Sequence, residues 1–174
     1  MTYSEICDSV SHLKRKYEET DPERLCKLLG IIVERRSLGV SDKAIKGFFV
    51  RIKRISLITV NGDLPKAVQR IIIAHELCHA LHHKTAGASA YHDFSLFDET
   101  NEFEKEANLF AAELLMDDDE VLENLNGDYT FYDAAKIMRV SPELLDFKFR
   151  IMKWKGYRLA EAPVSARNDF LKKI

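Results

Sequence analysis

The stretch that decides the fold is an apolar run followed by a short polar pattern, Ile71-Ile72-Ile73-Ala74-His75-Glu76-Leu77-Cys78-His79. On an α-helix, the two histidines are four residues apart and project from one face, one turn apart. Glu76 lies beside the same face. The opposite face is expected to pack into the core through Ile73, Leu77, Ala80 and Leu81. The stretch therefore predicts a buried helix whose polar groups need partners.

This spacing is typical of a zinc site. Two imidazole nitrogens placed in this way can reach one tetrahedral zinc ion at about 2.0–2.1 Å each. Glu76 can hydrogen-bond a metal-bound water without being a ligand, as in the His-Glu-x-x-His zincins. We therefore predict His75 and His79 as ligands of one catalytic zinc ion and Glu76 as the catalytic base. The alternative interpretation is a solvated polar face of a helix.

A catalytic zinc ion needs a third protein ligand and an open position. Metzincin spacing requires glycine at position 82 and histidine at position 85, but the sequence has His82 and Thr85 there. A glutamate on a later helix is the remaining choice, and small residues near Glu104 would let that helix approach the first one closely. We predict Glu104 as the third ligand; the competing candidates are Glu102 and Glu106.

Taken together, the two motifs resemble the ImmA/IrrE family of metallo-endopeptidases. In that family a His-Glu-x-x-His helix is followed by a Glu-x-x-Ala-x-x-Phe-Ala helix and a Leu-Leu-Met-type segment. The corresponding residues here are Glu104, Ala107, Phe110 and Ala111, then Leu114-Leu115-Met116. Asp117 stands where the family usually has proline, a departure that concerns the end of the helix and not the site. The resemblance covers roughly residues 25–155.

The resemblance implies a residue assignment and an activity. It implies that His75, His79 and Glu104 bind zinc and that Glu76 is the catalytic base. It also implies limited cleavage of a helix-turn-helix transcriptional repressor, often one encoded on a phage or an integrative element. The partner expected from it is therefore a protein substrate.

Three further expectations concern the surroundings of the site. Tyr91 and His92, in the segment between the two ligand helices, are candidates by position to stabilise the oxyanion. His82 and His83 are expected to finish the C-terminus of the first ligand helix. The strand from Ile55 to Val60 has two interpretations: an unpaired edge beside the metal, where an extended peptide could bind by strand addition, or a fully paired structural strand.

Periodicity along the chain predicts an α+β fold with a compact zincin-like peptidase core. Two N-terminal helices precede a small three-stranded sheet, whose strands begin near Ile31, Gly47 and Ile55. The sheet packs on helices, with the His-Glu-x-x-His pattern on a central helix that runs from Pro65 to about His83. This peptidase domain is assigned to residues 1–116.

Residues 117–174 are predicted to form a C-terminal helical module and a tail. Helices at roughly Thr130–Met138 and Pro142–Lys155 resemble a helix-turn-helix. DNA binding by this module is not favoured, because Glu143 and Asp146 lie where base-reading residues are expected. A structural or substrate-recognition role is preferred.

Bulk properties limit the class of protein. The 174 residues are 46% hydrophobic and 31% charged, with a formal net charge of −2, so the chain lacks the overall basic charge of a nucleic-acid-binding protein. The start of the chain does not read as a signal peptide, and no apolar run is long enough for a bilayer. Three cysteines, an odd number, indicate reduced thiols and a cytoplasmic location.

The leading hypothesis is therefore a zinc-dependent, site-specific endopeptidase. Its main alternative is a non-cleaving DNA- or protein-binding regulator with a zincin-like core, although the intact Glu76 argues against it. A metal-dependent amidohydrolase that acts on a non-peptide bond is a third reading.

Overall fold

The computed structural model describes residues 1–41, 43–83, 101–125 and 129–163. These residues form a three-stranded sheet and seven helices, which confirms the α+β prediction. In chain order the elements are α1 (Tyr3–Tyr17), α2 (Pro22–Leu28), β1 (Ile31–Arg36), β2 (Gly47–Ile52), β3 (Ile55–Asn61), α3 (Lys66–His82), α4 (Glu102–Leu115), α5 (Asp118–Leu125), α6 (Phe131–Ile137) and α7 (Pro142–Trp154).

The first two helices begin at capping residues. The Thr2 side chain accepts a hydrogen bond from the backbone N–H of Glu5, and the Glu5 carboxylate accepts one from the backbone N–H of Thr2. This capping box satisfies two N–H groups that the first turn of α1 would otherwise leave open. The Asp21 side chain caps α2 by accepting a hydrogen bond from the backbone N–H of Arg24, and Pro22 occupies the first helical position. Local sequence is therefore sufficient to place both starts.

The sheet has the strand order β1-β3-β2. Strand β3 pairs in parallel with β1 and in antiparallel orientation with β2, so it is the central strand. Of the two interpretations of Ile55–Val60, the unpaired edge is therefore wrong and the fully paired strand is confirmed. These residues form a nearly continuous apolar run, and Ile58 and Val60 are fully buried, as suits a strand in the middle of a sheet. In the described part of the chain, β1 and β2 are the edges.

Helices α3 and α4 pack against each other and bring the two sequence motifs together. Helix α3 is buried on almost every side from Val68 to Ala80, because the sheet, α2 and α4 surround it. The predicted core positions of α3 are confirmed, except that Leu81 is only partly buried. On α4, Ala107 and Ala111 are fully buried, and their small side chains allow the two helices to approach closely.

The C-terminal helices pack on the back of α4. Leu144, Phe147 and Ile151 of α7 are fully buried and belong to the same apolar cluster as the core of α3 and α4. Trp154 of α7 is half exposed and stacks on Tyr3 of α1, with ring centroids 5.9 Å apart. The helix-turn-helix module and the domain boundary after residue 116 stay predictions.

Two further features of the fold concern the membrane and the cysteines. Within the described segments, every helix is too short or too polar to cross a lipid bilayer. Cys7, Cys26 and Cys78 are free thiols. Burial raises the pKa of Cys78 well above its usual range, so this neighbour of His79 is a neutral, packed thiol.

Candidate metal centre

Three side chains from the two sequence motifs converge between α3 and α4. The Nε2 atom of His75 lies 3.0 Å from Glu104 Oε2 and 3.1 Å from His79 Nε2. The second Glu104 oxygen lies 3.6 Å from His79 Nε2. All three residues are buried. Among the described residues, they form the one group of three or more acidic, histidine or cysteine side chains close enough to share a metal ion. We call this group the metal centre.

Hydrogen bonds on the outer side of the two imidazoles indicate which nitrogens face the centre. His75 Nδ1 lies 3.0 Å from Asn108 Oδ1, an oxygen that can only accept, so the proton of His75 lies on Nδ1. His79 Nδ1 lies 2.8 Å from His83 Nδ1. When His79 donates this hydrogen bond, both ligand histidines carry their protons on the outside. Both Nε2 lone pairs then point into the same space.

A divalent cation fits this arrangement. Ligand atoms around a tetrahedral zinc ion at 2.0–2.1 Å are about 3.3 Å from one another. The three distances of 3.0, 3.1 and 3.6 Å in the metal centre bracket that value. Without a cation, two imidazole lone pairs would face each other and a carboxylate in the protein interior, which is unfavourable. The residues present therefore fit a zinc ion.

The protonation states at neutral pH also suit metal binding. Burial lowers the pKa of His79, which keeps its ring neutral. Burial alone would raise the pKa of Glu104, but the adjacent His75 and His79 rings outweigh that effect and hold the pKa well below its usual range. Metal ligands must be neutral imidazoles and ionised carboxylates, so neither group has to lose a proton first.

Glu76 lies next to the metal centre in sequence and is 1% exposed. The start of β2 covers it. A Cβ atom added at Gly47 would lie 3.8 Å from Glu76 Oε1 and only 2.4 Å from Ile72 Cγ2. Any side chain at position 47 would therefore push this strand away from α3. The sequence analysis did not single out Gly47, although a glycine at the start of a strand often marks such a close approach.

The other candidates for the third ligand point elsewhere. Glu102 is exposed at the first position of α4. Glu106 is buried, but its Oε2 atom lies 2.9 Å from His83 Nε2, and its other oxygen contacts the amino group of Met1. The structure thus brings Glu104, and neither competitor, to the two histidines. Tyr91 and His92 lie outside the described residues, so their role stays a prediction.

His83 is the residue whose environment the sequence analysis missed. Its backbone N–H bonds to the carbonyl oxygen of His79, as expected for the last residue of a helix. Its ring, however, turns inward and is buried between His79 and Glu106. The signal was present in the sequence, because His75, His79 and His83 repeat every four residues and therefore share one helix face. His82 points outward and bonds to Ser9 Oγ at 2.8 Å.

Comparisons with known proteins agree with this geometry. A sequence model of the peptidase family described as the IrrE N-terminal-like domain matches residues 26–150. The "Uncharacterized immunity region protein 2" of Bacillus phage phi105 is 33% identical over 146 residues, which cover 84% of this chain and 90% of the relative. None of the solved structures is significantly similar. The family resemblance predicted from the two motifs is confirmed: the chain belongs to the IrrE N-terminal-like domain family of peptidases.

Proposed function

We propose that the chain is a zinc-dependent, site-specific endopeptidase that cleaves a helix-turn-helix transcriptional repressor. The observation that carries the proposal is the convergence of His75, His79 and Glu104 in the protein interior, with the buried Glu76 following His75 on the same helix. Membership in a peptidase family supports peptide-bond hydrolysis. The relative from a phage immunity region supports a regulatory protein as the substrate.

The chemistry divides between the zinc ion and the protein. When bound, zinc lowers the pKa of a coordinated water from about 15.7 towards 7 and polarises the substrate carbonyl. His75, His79 and Glu104 would hold the ion. Glu76 takes a proton from the attacking water on its carboxylate and delivers it to the nitrogen of the departing amine. Tyr91 and His92 remain the proposed candidates for stabilising the oxyanion.

The edge of β2 is the surface on which we place the substrate. In the described part of the chain, β2 pairs only with β3, and it begins at Gly47 directly over α3 and Glu76. An extended peptide that adds to this edge would pass beside Glu76, with its backbone groups bonded to those of β2. This proposal replaces the expected binding edge on β3, which is paired on both sides.

The C-terminal helices support a structural role more than DNA recognition. Helix α7 would be the recognition helix of a helix-turn-helix, but its residues from Leu144 to Phe149 are all buried. Asp146 is among them, and its carboxylate bonds to Arg150 at 2.7 Å. A helix packed in this way has few side chains left to reach the major groove.

A cleavage assay tests the proposal. The purified protein, loaded with one zinc ion per chain, is incubated with a candidate helix-turn-helix repressor, and the products are identified by mass spectrometry. We expect a single cut. Glu76→Gln should keep its zinc and lower the cleavage rate by roughly 10²–10⁴-fold, because it removes the general base. The matched control is Glu120→Gln, which neutralises an exposed glutamate of α5 and should cleave at the normal rate.

Two results would contradict the proposal. One is a Glu76→Gln variant that cleaves as fast as the wild type. The other is a zinc-loaded wild-type protein that binds the repressor, or shifts DNA in a salt-dependent manner, without any cut. That second outcome would favour the non-cleaving regulator.

A further inference from the structure

We propose that His83 and Glu106 are positioning residues that fix the tautomer and the ring orientation of His79. The inference rests on the proposed function, because it assigns His79 to the metal centre as a ligand. It goes beyond that function in adding two residues that do not touch the ion. Both lie on the side of His79 that faces away from His75 and Glu104.

The hydrogen bonds form a chain with one consistent direction. His79 Nδ1 lies 2.8 Å from His83 Nδ1, and His83 Nε2 lies 2.9 Å from Glu106 Oε2. An ionised carboxylate only accepts, so His83 carries its proton on Nε2 and donates it to Glu106. His83 Nδ1 is then an acceptor and requires a donor on His79. The proton of His79 is therefore held on Nδ1, and its Nε2 lone pair is left for the metal.

Packing holds the ring of His83 in place. Its ring centroid lies 4.8 Å from that of His79 and 4.7 Å from that of Phe103 on α4. His83 is 7% exposed and Glu106 is 8% exposed, so water has little access to either side chain. The chain of hydrogen bonds is thus both buried and sterically confined.

The two ligand histidines are supported differently. An amide oxygen of Asn108 accepts from His75, whereas an imidazole backed by a carboxylate accepts from His79. Without His83, the proton of His79 would lose its buried acceptor and could move to Nε2, where it would block metal binding. Supporting partners of this kind typically change metal affinity by 10–100-fold.

Zinc affinity tests the inference without any substrate. Competition with a chromogenic chelator gives the dissociation constant of zinc, and the cobalt-substituted protein gives a visible absorption spectrum that reports ligand geometry. His83→Leu removes the acceptor at similar size and should weaken zinc binding by roughly 10–100-fold. His83→Asn keeps an acceptor oxygen near the position of Nδ1 and should recover much of that loss. His82→Leu and His82→Asn are the matched controls on the adjacent, outward-facing histidine and should bind zinc as the wild type does.

Each measured result supports or overturns the positioning role of His83 and Glu106. If His83→Leu fails to fold, Glu106→Gln takes its place, since it removes the charge behind His83 and should also weaken zinc binding and alter the cobalt spectrum. Wild-type affinity and an unchanged cobalt spectrum in folded His83→Leu or Glu106→Gln would overturn the inference and leave the proposed function intact. Equal losses in His83→Leu and His83→Asn would also overturn it, because the acceptor would then be irrelevant. A wild-type protein that binds no zinc would overturn the proposed function itself.

Discussion

Helix α4 carries three buried glutamates, and two of them, Glu104 and Glu113, lie in contrasting environments. Glu113 accepts from Lys148 Nζ at 2.6 Å and from Lys155 Nζ at 2.7 Å. Asp118 bonds to the same two lysines. We call these four residues the ion cluster; two positive charges balance two negative charges within it. In the described part of the chain, Glu104 is paired only with the imidazoles of the metal centre.

This difference separates a structural cluster from a binding site. Burial opposes the charge of Lys155, but its hydrogen bonds with Glu113 and Asp118 outweigh burial and raise its pKa. Every charge of the ion cluster is therefore matched by the protein itself. The metal centre instead combines an ionised carboxylate with imidazoles that burial keeps neutral. The metal centre therefore has excess negative charge and converging lone pairs, which a bound cation would neutralise.

Removing one charge from the ion cluster should have the largest effect on stability. Lys148→Met leaves the buried carboxylate of Glu113 and the partly buried one of Asp118 facing one lysine, which should lower the free energy of unfolding by about 3–5 kcal/mol. Lys148→Met combined with Glu113→Leu leaves the balanced pair of Asp118 and Lys155, and should recover most of the loss. Urea unfolding of both variants measures this. A double variant as unstable as the single one would show that charge balance does not explain the cluster.

Zinc should stabilise the protein through the metal centre alone. At a free concentration 100 times the dissociation constant, zinc should add about 2.7 kcal/mol, or roughly 5–11 °C in Tm. The Lys148→Met and Glu113→Leu double variant should gain as much as the wild type. His79→Ala should gain nothing. Thermal unfolding with and without zinc checks this, and an undiminished gain in His79→Ala would place the ion elsewhere.

Substitution of Gly47 tests how closely β2 packs on α3 over Glu76. Gly47→Ala places a methyl group 2.4 Å from Ile72 Cγ2, so β2 must move away from α3. We expect a loss of about 1–3 kcal/mol in unfolding free energy and a change in peptide cleavage, because β2 lies over Glu76. Gly62→Ala is the control, since its added methyl would meet neighbours no closer than 3.5 Å. Equal effects of the two substitutions would argue against a close fit at Gly47.

Acid should affect the two regions at different pH values. His79 and His83 have pKa values below 6.5, their unfolded-state value, because burial disfavours the charged rings. The unfolded chain therefore binds more protons, and the metal-free protein should lose stability as the pH falls below about 6.5. In the ion cluster, the pKa of Asp118 is lowered from 3.8 by its lysine partners despite burial, so its contribution is lost only below about pH 4.

Urea midpoints of the metal-free protein at pH 7.5, 5.5 and 4.5 would show this separation. We expect the midpoint to fall between pH 7.5 and 5.5 in the wild type and in the Lys148→Met and Glu113→Leu double variant. His83→Asn should show a smaller fall. A flat profile in the wild type down to pH 4.5 would contradict buried, neutral histidines.

Features of the fold that depend on residues close together in the sequence were predictable. The capping box of Thr2 and Glu5, the start of α2 at Asp21 and Pro22, and the facing positions of His75 and His79 all follow from local spacing. The central position of β3 was not predictable, because a strand's pattern shows that it is buried but not which strands flank it. The ion cluster joins residues 35 positions apart and leaves no local signal.

The environment of His83 was only partly predictable from the sequence. Its spacing from His79 was visible, but a histidine at the end of a helix is equally well explained as a capping residue. Only the position of Glu106 on α4 shows that the ring turns inward. The choice of Glu104 over Glu106 depends on the same contact, because it places the Glu106 carboxylate on His83 and away from the metal centre.

A zinc titration of the metal-free protein by calorimetry tests the central claim most directly. The wild type and Glu113→Gln should each bind one zinc ion per chain with similar affinity, whereas Glu104→Gln, altered on the same helix, should bind none at that affinity. The claim would be contradicted if Glu104→Gln bound zinc as tightly as the wild type, or if the folded wild-type protein bound no zinc.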